Sequence, residues 1–207
     1  MGNVDVEARR AMSLLRYESP TGERRPWTLK EIVQGKPIGH PSHAMVVHFP
    51  VAFYIGALSF DIASRIGHLP QAPVAATWLI LGAFAGSALA IPTGLVYWWG
   101  MRPRSRTRRV ANRHLLFQSL AAAFFIANLI VRWGHRERAQ AEAAWIVLGA
   151  IGVVALVIGQ YFGGIIVYKI GFRVTTSGGA APRVAASEQH KPEQEKPAAT
   201  RQTDTAT

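Results

Sequence analysis

The sequence predicts an all-α membrane protein built as a bundle of four transmembrane helices. Three long stretches of the 207-residue chain carry no charged residue, at 74–100, 115–131 and 143–168, and a fourth, at 44–63, is interrupted only by His48 and Asp61. About 20 apolar residues at a rise of ~1.5 Å per residue cross a hydrocarbon layer of roughly 30 Å. We therefore expect spans at about 44–64, 74–99, 111–132 and 143–168.

The basic residues are distributed unevenly among the segments outside these spans. Of 23 Lys and Arg residues, 19 lie in the N-terminal segment, the loop between the second and third spans and the C-terminal end, whereas the other side has only Arg65, Arg132, Arg136 and Arg138. Because basic loops resist translocation, this predicts a multi-pass protein of the bacterial inner (plasma) membrane with both termini in the cytoplasm. Nucleic-acid binding is disfavoured, since the basic residues flank spans and lack interleaved aromatics.

The segments on either side of the membrane domain differ in composition. Residues 1–36 form a mixed cytoplasmic segment, where Thr28 and Glu31 have the spacing of a capping box, so we expect a short amphipathic helix. Residues 37–174 form the four-helix membrane domain. Residues 175–207 are rich in Ala, Pro, Glu, Lys, Gln and Thr, and this composition predicts a disordered cytoplasmic tail.

The absence of cysteine limits the chemistry of the chain. It excludes disulfides, thiolate metal sites and covalently attached c-type haem, so a cofactor must be held by histidine, carboxylate or backbone groups. No nucleophile, base and orienting group stand at a recognisable spacing, so hydrolytic chemistry has no support in the sequence. The four spans contain no pair of discontinuous helices of the kind that transporters use, so a lone transporter is not indicated. The sequence leaves the question of enzymatic activity open and favours a protein that is not an enzyme on its own.

A histidine cluster is the most informative feature. Residues 39–50 read Gly-His-Pro-Ser-His-Ala-Met-Val-Val-His-Phe-Pro and place His40, His43 and His48 at the cytoplasmic mouth of the first span. The third span also starts in the cytoplasm, so His114 is expected at a similar depth. Topology therefore predicts that His48 and His114 are neighbours, with His40 and His43 as auxiliary groups nearer water.

These histidines support three hypotheses. Imidazoles on two facing helices are typical of axial ligation in b-type haem, which makes His48 and His114 candidate axial ligands or, alternatively, proton carriers. Gln118, one turn after His114, is a candidate to orient its ring. Haem propionates would pair with cytoplasmic arginines, namely Arg102, Arg104 or Arg113. Alternatively, three or four of the histidines, with His48 and His114 among them, bind a divalent metal such as Zn or Cu. The third hypothesis is a non-catalytic scaffold or accessory subunit whose histidines make only interhelical hydrogen bonds.

Other features inside the spans are assigned to structure. Arg65 follows Asp61 by four residues, so the two are expected to form an ion pair on one helix face. Pro92 is expected to bend the second span, where a freed carbonyl would accept from Thr93 or from a neighbouring helix. Two GxxxG pairs predict close helix packing, and they are Gly82 with Gly86 and Gly159 with Gly163.

Several motifs carry a resemblance to a known family: residues 34–43, Val47-His48-Phe49-Pro50, Thr93-Gly94-Leu95, His114 and residues 163–174. Over about residues 30–175 the chain resembles a bacterial four-helix membrane family with the consensus GHPxHPxxVHFP, catalogued as a domain of unknown function. The resemblance implies a four-span inner-membrane domain, found in other chains beside redox modules, with no established activity. A redox or membrane protein is therefore the expected partner, besides the lipid bilayer.

The chain departs from the pattern of this family at three places. Ala44 stands where the family commonly has proline after the second histidine, and the acidic residue near Tyr97 and the histidine near Ile170 are missing. If those groups belong to a family site, this chain has a reduced version of it. The four histidines of the cluster are retained.

Overall fold

The computed structural model describes residues 16–18 and 24–172. A small antiparallel hairpin comes first, made of β1 (Arg16–Glu18) and β2 (Arg24–Pro26), with Tyr17 opposite Arg25. The sequence analysis did not predict these strands in the N-terminal segment. The predicted disordered tail, 175–207, lies outside the described residues. Short helical elements then lead to the bundle, and they are α1 (Leu29–Val33), a 3₁₀ turn (Lys36–Ile38) and α2 (Ser42–Val46).

Four long helices make up most of the described chain: α3 (His48–Ile66), α4 (Ala72–Trp99), α5 (Arg106–Arg132) and α6 (Ala143–Gly164). With adjoining turns they give four apolar segments of 25 to 30 residues that are long enough to cross a membrane, namely Ser42–Ile66, Ala72–Trp99, Arg106–His135 and Ala143–Lys169. Each predicted span lies within one of these segments. The first segment joins α2 to α3, because Val47 between them keeps a right-handed helical conformation.

The bundle is arranged as two helical hairpins, α3 with α4 and α5 with α6. Between the hairpins, α3 contacts α6 and α4 contacts α5. The GxxxG pairs lie at the interfaces inside the hairpins, as the sequence predicted: Gly82 and Gly86 face Phe53 and Pro50 of α3, and Gly159 and Gly163 face Gln118 and His114 of α5. A β-carbon at Gly86 would lie 3.0 Å from Cδ of Pro50, so these glycines permit the close approach of the helices.

The apolar core occupies the middle of the bundle and receives side chains from all four helices. Tyr54 of α3, Ile80 of α4, Phe125 of α5 and Leu156 of α6 are buried together there. The rings of Tyr54 and Phe125 stack with centroids 4.1 Å apart, which joins the two hairpins. The polar side chains described below lie on either side of this core.

A buried ion pair lies where α3 and α5 end and α4 and α6 begin, which we call the ion-pair end. Nη2 of Arg132 donates to both carboxylate oxygens of Asp61, at 2.6 and 2.5 Å, and Nη1 lies 3.4 Å from Oγ1 of Thr77. The predicted pair of Asp61 with Arg65 is wrong, because Nε of Arg65 donates instead to the carbonyl of Ala141, at 2.6 Å. Asp61 is only 1% exposed and faces a guanidinium that is fully buried with it, whereas Arg65 lies in the last turn of α3 and reaches the loop before α6.

The segment before α2 is held by one carboxylate. The predicted capping box is confirmed, since the side chain of Thr28 accepts from the backbone N–H of Glu31 and the side chain of Glu31 accepts from the backbone N–H of Thr28. Arg25 donates two hydrogen bonds to Glu31, at 2.8 and 2.9 Å, and Lys36 donates a third at 2.9 Å. These donors, Arg25 above all, hold the pKa of Glu31 far below its ordinary value.

The same segment is docked on the bundle at the opposite end from the ion pair, which we call the histidine end. The hydroxyl of Tyr97 in α4 donates to the carbonyl of Gln34 at 2.6 Å, and the hydroxyl of Ser42 donates to the carbonyl of Val33. Phe172 packs edge-on against the ring of Tyr97. Residues before the first span and after the last one therefore meet on the same tyrosine.

We expect Arg132→Met to be strongly destabilising, because it leaves the carboxylate of Asp61 buried without a cation. The loss in free energy of unfolding should be about 3–5 kcal/mol, measured by chemical or thermal unfolding in detergent. The double variant Asp61→Leu/Arg132→Met removes both charges and should recover most of that loss. Arg65→Met is the control and should cost clearly less. Equal stability of Arg132→Met and the unaltered chain would contradict the assigned pairing.

The charge on Glu31 makes the docking of the N-terminal segment sensitive to pH. The carboxyl has a lower pKa in the folded protein than its ordinary value of 4.5, so its contribution is complete above that value and is lost as the pH falls through the folded-state pKa. Amide hydrogen exchange of residues 28–36 should therefore accelerate as the pH is lowered below about 4.5, after correction for intrinsic rates. In Glu31→Gln, protection should be weaker at neutral pH and change little with acid.

Candidate histidine site

The ring of His43 is hydrogen-bonded to α4 next to Pro92. Its Nδ1 lies 3.0 Å from the carbonyl oxygen of Ala90 and 3.1 Å from Oγ1 of Thr93, and the Thr93 hydroxyl donates to the same carbonyl at 2.6 Å. The carbonyl near Pro92 thus accepts from both Thr93 and a neighbouring helix. Because a carbonyl can only accept, we assign the proton of the neutral His43 ring to Nδ1, which leaves the lone pair on Nε2.

The ring of His114 has the same arrangement in the other hairpin. Its Nδ1 lies 2.8 Å from the carbonyl oxygen of Gly159 in α6, so Nδ1 donates and Nε2 again keeps its lone pair. The hydrogen bond that orients this ring therefore comes from a backbone carbonyl, and not from Gln118 as the sequence suggested. Gln118 packs against the same glycine, with its Nε2 2.7 Å from the place of a β-carbon, and that nitrogen has no partner among the described residues.

Each ring occupies the space that a side chain would take on the facing helix. A β-carbon at Gly94 would lie 2.7 Å from Cε1 of His43, and one at Gly163 would lie 3.2 Å from both Cε1 and Nδ1 of His114. Such distances are shorter than ordinary van der Waals contact, so only glycine leaves room for the imidazoles here. The two glycines belong to motifs that the sequence analysis singled out, but their contact with histidine was not predicted.

The two rings lie near each other at the histidine end, one contributed by each hairpin. They are close enough for an electrostatic interaction between His43 and His114. Within residues 24–172, neither Nε2 has a hydrogen-bond partner, and neither atom is completely enclosed by the protein. Each ring thus has its Nδ1 oriented by a backbone carbonyl, while its Nε2 makes no hydrogen bond within these residues.

The other two histidines of the cluster are placed differently. His48, the first residue of α3, is exposed, and His40 is exposed with its Nδ1 3.0 Å from the carbonyl of Ile38. Five residues along a helix correspond to a rotation of about 140°, so His43 and His48 cannot face the same neighbour. The described contacts bring His43 into electrostatic interaction with His114, whereas depth alone favoured His48.

The described residues contain no group of three or more His, Cys, Asp or Glu side chains arranged to hold a metal ion. Protein zinc sites use three or four protein ligands, so two imidazoles alone do not make such a site. Axial ligation of a haem iron needs only two. The donor set therefore fits a b-type haem better than a bare divalent ion.

The three arginines predicted to face propionates are divided between a loop and a helix. Arg102 and Arg104 lie in the loop before α5, whereas Arg113 precedes His114 directly and is exposed, with its Cζ 5.8 Å from the centroid of the Phe162 ring. Of the three, Arg113 is the one adjacent in sequence to a histidine of the site. Its guanidinium lies near the ring of Phe162, the residue that precedes Gly163 on the helix that faces His114.

A family model for predicted membrane proteins, DUF2231, matches residues 39–176. The chain belongs to this family. The matched region covers the four long helices and both inward-facing histidines, and it confirms the resemblance stated from the motifs. No curated protein and no solved structure matches the chain. The family is defined as membrane proteins without an assigned activity, so the function of the chain has to be inferred from the geometry of the site.

Substitution of the glycines that support the rings should disturb the site. We expect Gly94→Ala to be destabilising by about 1–3 kcal/mol, because the new methyl group overlaps the ring of His43, with a smaller effect for Gly163→Ala at the ring of His114. Gly164→Ala, in α6 directly after Gly163, is the control, since a β-carbon at Gly164 would meet only Cδ2 of Tyr168 at 3.9 Å. Thermal unfolding of the three variants in detergent measures this. A Gly94→Ala variant as stable as Gly164→Ala would refute the packing.

Proposed function

We propose that this member of the DUF2231 family is a multi-pass protein of the bacterial inner membrane in which His43 and His114 are the axial ligands of a b-type haem. The observation that carries the proposal is the state of the two rings. Each donates through Nδ1 to a backbone carbonyl, and each keeps the lone pair of Nε2. This is the arrangement in which a histidine ligand is usually held, because the second nitrogen fixes the tautomer and the direction of the ring.

The positions of the rings in the bundle support the proposal. His43 is attached to α4 and His114 to α6, so the two hairpins each supply one ligand and a planar group between the hairpins would contact both. His48, which the sequence favoured as a ligand, lies on the exposed side of α3 and has no place in this site. His40 is likewise exposed and is assigned no role in ligation.

The surroundings of His114 suit an amphipathic macrocycle. Phe117 and Phe162 stack with ring centroids 5.8 Å apart, and Arg113 lies over the ring of Phe162. The aromatic pair offers an apolar surface, and the guanidinium offers the charge that a propionate requires. Gln118 supplies an N–H donor that has no partner in the described part of the chain.

The proposed ligation also indicates the kind of chemistry. A haem held by His43 and His114 would supply single-electron transfer, because two protein ligands would leave the iron no position for a substrate. We infer that the chain is an electron carrier that works with a redox or membrane protein partner, and that it is not an enzyme on its own. The orientation proposed with it places both termini in the cytoplasm, supported by the 19 basic residues on that side against four on the other.

The alternative function is that of a scaffold, and one observation favours it. The hydrogen bonds of His43 and His114 join α2 to α4 and α5 to α6, so the histidines also serve to attach neighbouring helices. An interhelical hydrogen bond of this kind contributes about 0.5–2 kcal/mol in a membrane bundle. A test must therefore separate the role of Nδ1 from that of Nε2.

Asparagine makes this separation, because its amide nitrogen lies near the position of Nδ1 and nothing replaces Nε2. We expect the full chain, expressed with haem supplied and purified in detergent, to show a Soret band that shifts on reduction. His43→Asn and His114→Asn should each lose this spectrum while keeping most of the thermal stability.

His40→Asn and His48→Asn are the controls and should retain the full spectrum, since both side chains are exposed. If the unaltered chain carries no haem and the asparagine variants are as stable as it is, the histidines are helix-joining groups and the scaffold function is correct. Loss of the Soret band in His48→Asn alone would instead return the ligand role to the residue that the sequence favoured.

A further inference from the structure

Three polar atoms at the ion-pair end are buried without a partner among the described residues: Nε of Arg132, Oδ1 of Asn128 and Nε1 of Trp145. Their side chains are at most 1% exposed. A buried polar group without a hydrogen bond is strongly unfavourable, and such groups in native proteins usually indicate a bound water or ion. This cluster lies at the opposite end of the bundle from the histidine site and is independent of the proposed haem.

Asn128 and Arg132 both contact Trp145. Asn128 precedes Arg132 by four residues on α5, so both lie on one helix face. Nδ2 of Asn128 donates to the backbone carbonyl of Trp145 at 2.6 Å, and Cζ of Arg132 lies 4.6 Å from the centroid of the Trp145 ring. The bond to the carbonyl fixes the orientation of the Asn128 amide, because a flipped amide would place two oxygens against each other.

The remaining polar groups around the cluster already have partners. Both oxygens of Asp61 accept from Arg132, whose Nη1 faces Thr77. The charges of Asp61 and Arg132 offset each other, so the cluster does not require an additional ion. What is left is two N–H donors and one carbonyl acceptor, in a neutral and enclosed setting.

We propose that a water molecule binds here and bridges α5 and α6. It accepts hydrogen bonds from Nε of Arg132 and Nε1 of Trp145 and donates one to Oδ1 of Asn128, which satisfies all three atoms at once. A water with three protein partners is typical of internal water sites. The site extends the Asp61–Arg132 pair into a network that includes the first turn of α6, and the water is therefore a structural component of the ion-pair end.

X-ray radiolysis of the full chain in detergent tests this, because hydroxyl radicals formed from a bound water oxidise the side chains next to it. Phe125 is the internal reference, since it is as fully buried as Trp145 but lies in the apolar core. With rates normalised to the denatured chain, oxidation of Trp145 should be several-fold faster than that of Phe125. Equal slow oxidation of both residues would overturn the proposal.

Asn128→Leu is the matched variant, because leucine has nearly the shape of asparagine and no acceptor for the water. Oxidation of Trp145 should fall to the level of Phe125 in this variant, whereas an unchanged rate counts against the site. If Asn128→Leu does not fold, a high-resolution structure of the unaltered chain decides. Density for a water within hydrogen-bond distance of the three atoms supports the proposal, and its absence from otherwise clear density contradicts it.

Discussion

Polar side chains inside this bundle depend on partners within the protein, because the hydrocarbon around it offers none. Asp61 and Arg132 satisfy the requirement by pairing with each other, and they do so with almost no exposure to solvent. His43 and His114 satisfy it by donating to backbone carbonyls of the facing helices. The positions of these four side chains then determine which faces of the helices pack together at each end of the bundle.

The use of backbone carbonyls as acceptors explains the glycines at the histidine end. A helix carbonyl generally accepts the N–H four residues later, but its second lone pair can accept an additional donor. An imidazole reaches that lone pair only when the facing helix has no side chain at the point of contact. Gly94 and Gly163 meet this condition, since a β-carbon at either position would crowd a histidine ring. The small residues therefore allow close packing and histidine orientation together.

The sequence predicted what depends on local composition. Charge-free runs located the four helices, and the spacing of Thr28 and Glu31 located the capping box. It did not predict the rotation of each helix about its axis, which depends on packing between distant segments. For this reason His48 was preferred to His43 at the same depth, and Arg65 was preferred to Arg132, which is 71 residues from Asp61. Nothing in the sequence indicates that the carbonyl of Gly159 is the partner of His114, because every residue has a backbone carbonyl.

The two ends of the bundle differ in how their polar bonds join the hairpins. At the ion-pair end, Asp61 of α3 binds Arg132 of α5, so a buried ionic bond crosses from one hairpin to the other. At the histidine end, each ring bonds to a helix of its own hairpin. Separation of the hairpins there leaves both histidine bonds intact, whereas separation at the other end would break an ion pair. Other groups join the hairpins at the histidine end, since Nε1 of Trp98 in α4 donates to Oδ1 of Asn112 in α5 at 2.8 Å and Arg108 of α5 stacks on the Trp98 ring. The two histidine rings are therefore placed by their own hairpins, while the alignment of the hairpins depends on other side chains at both ends.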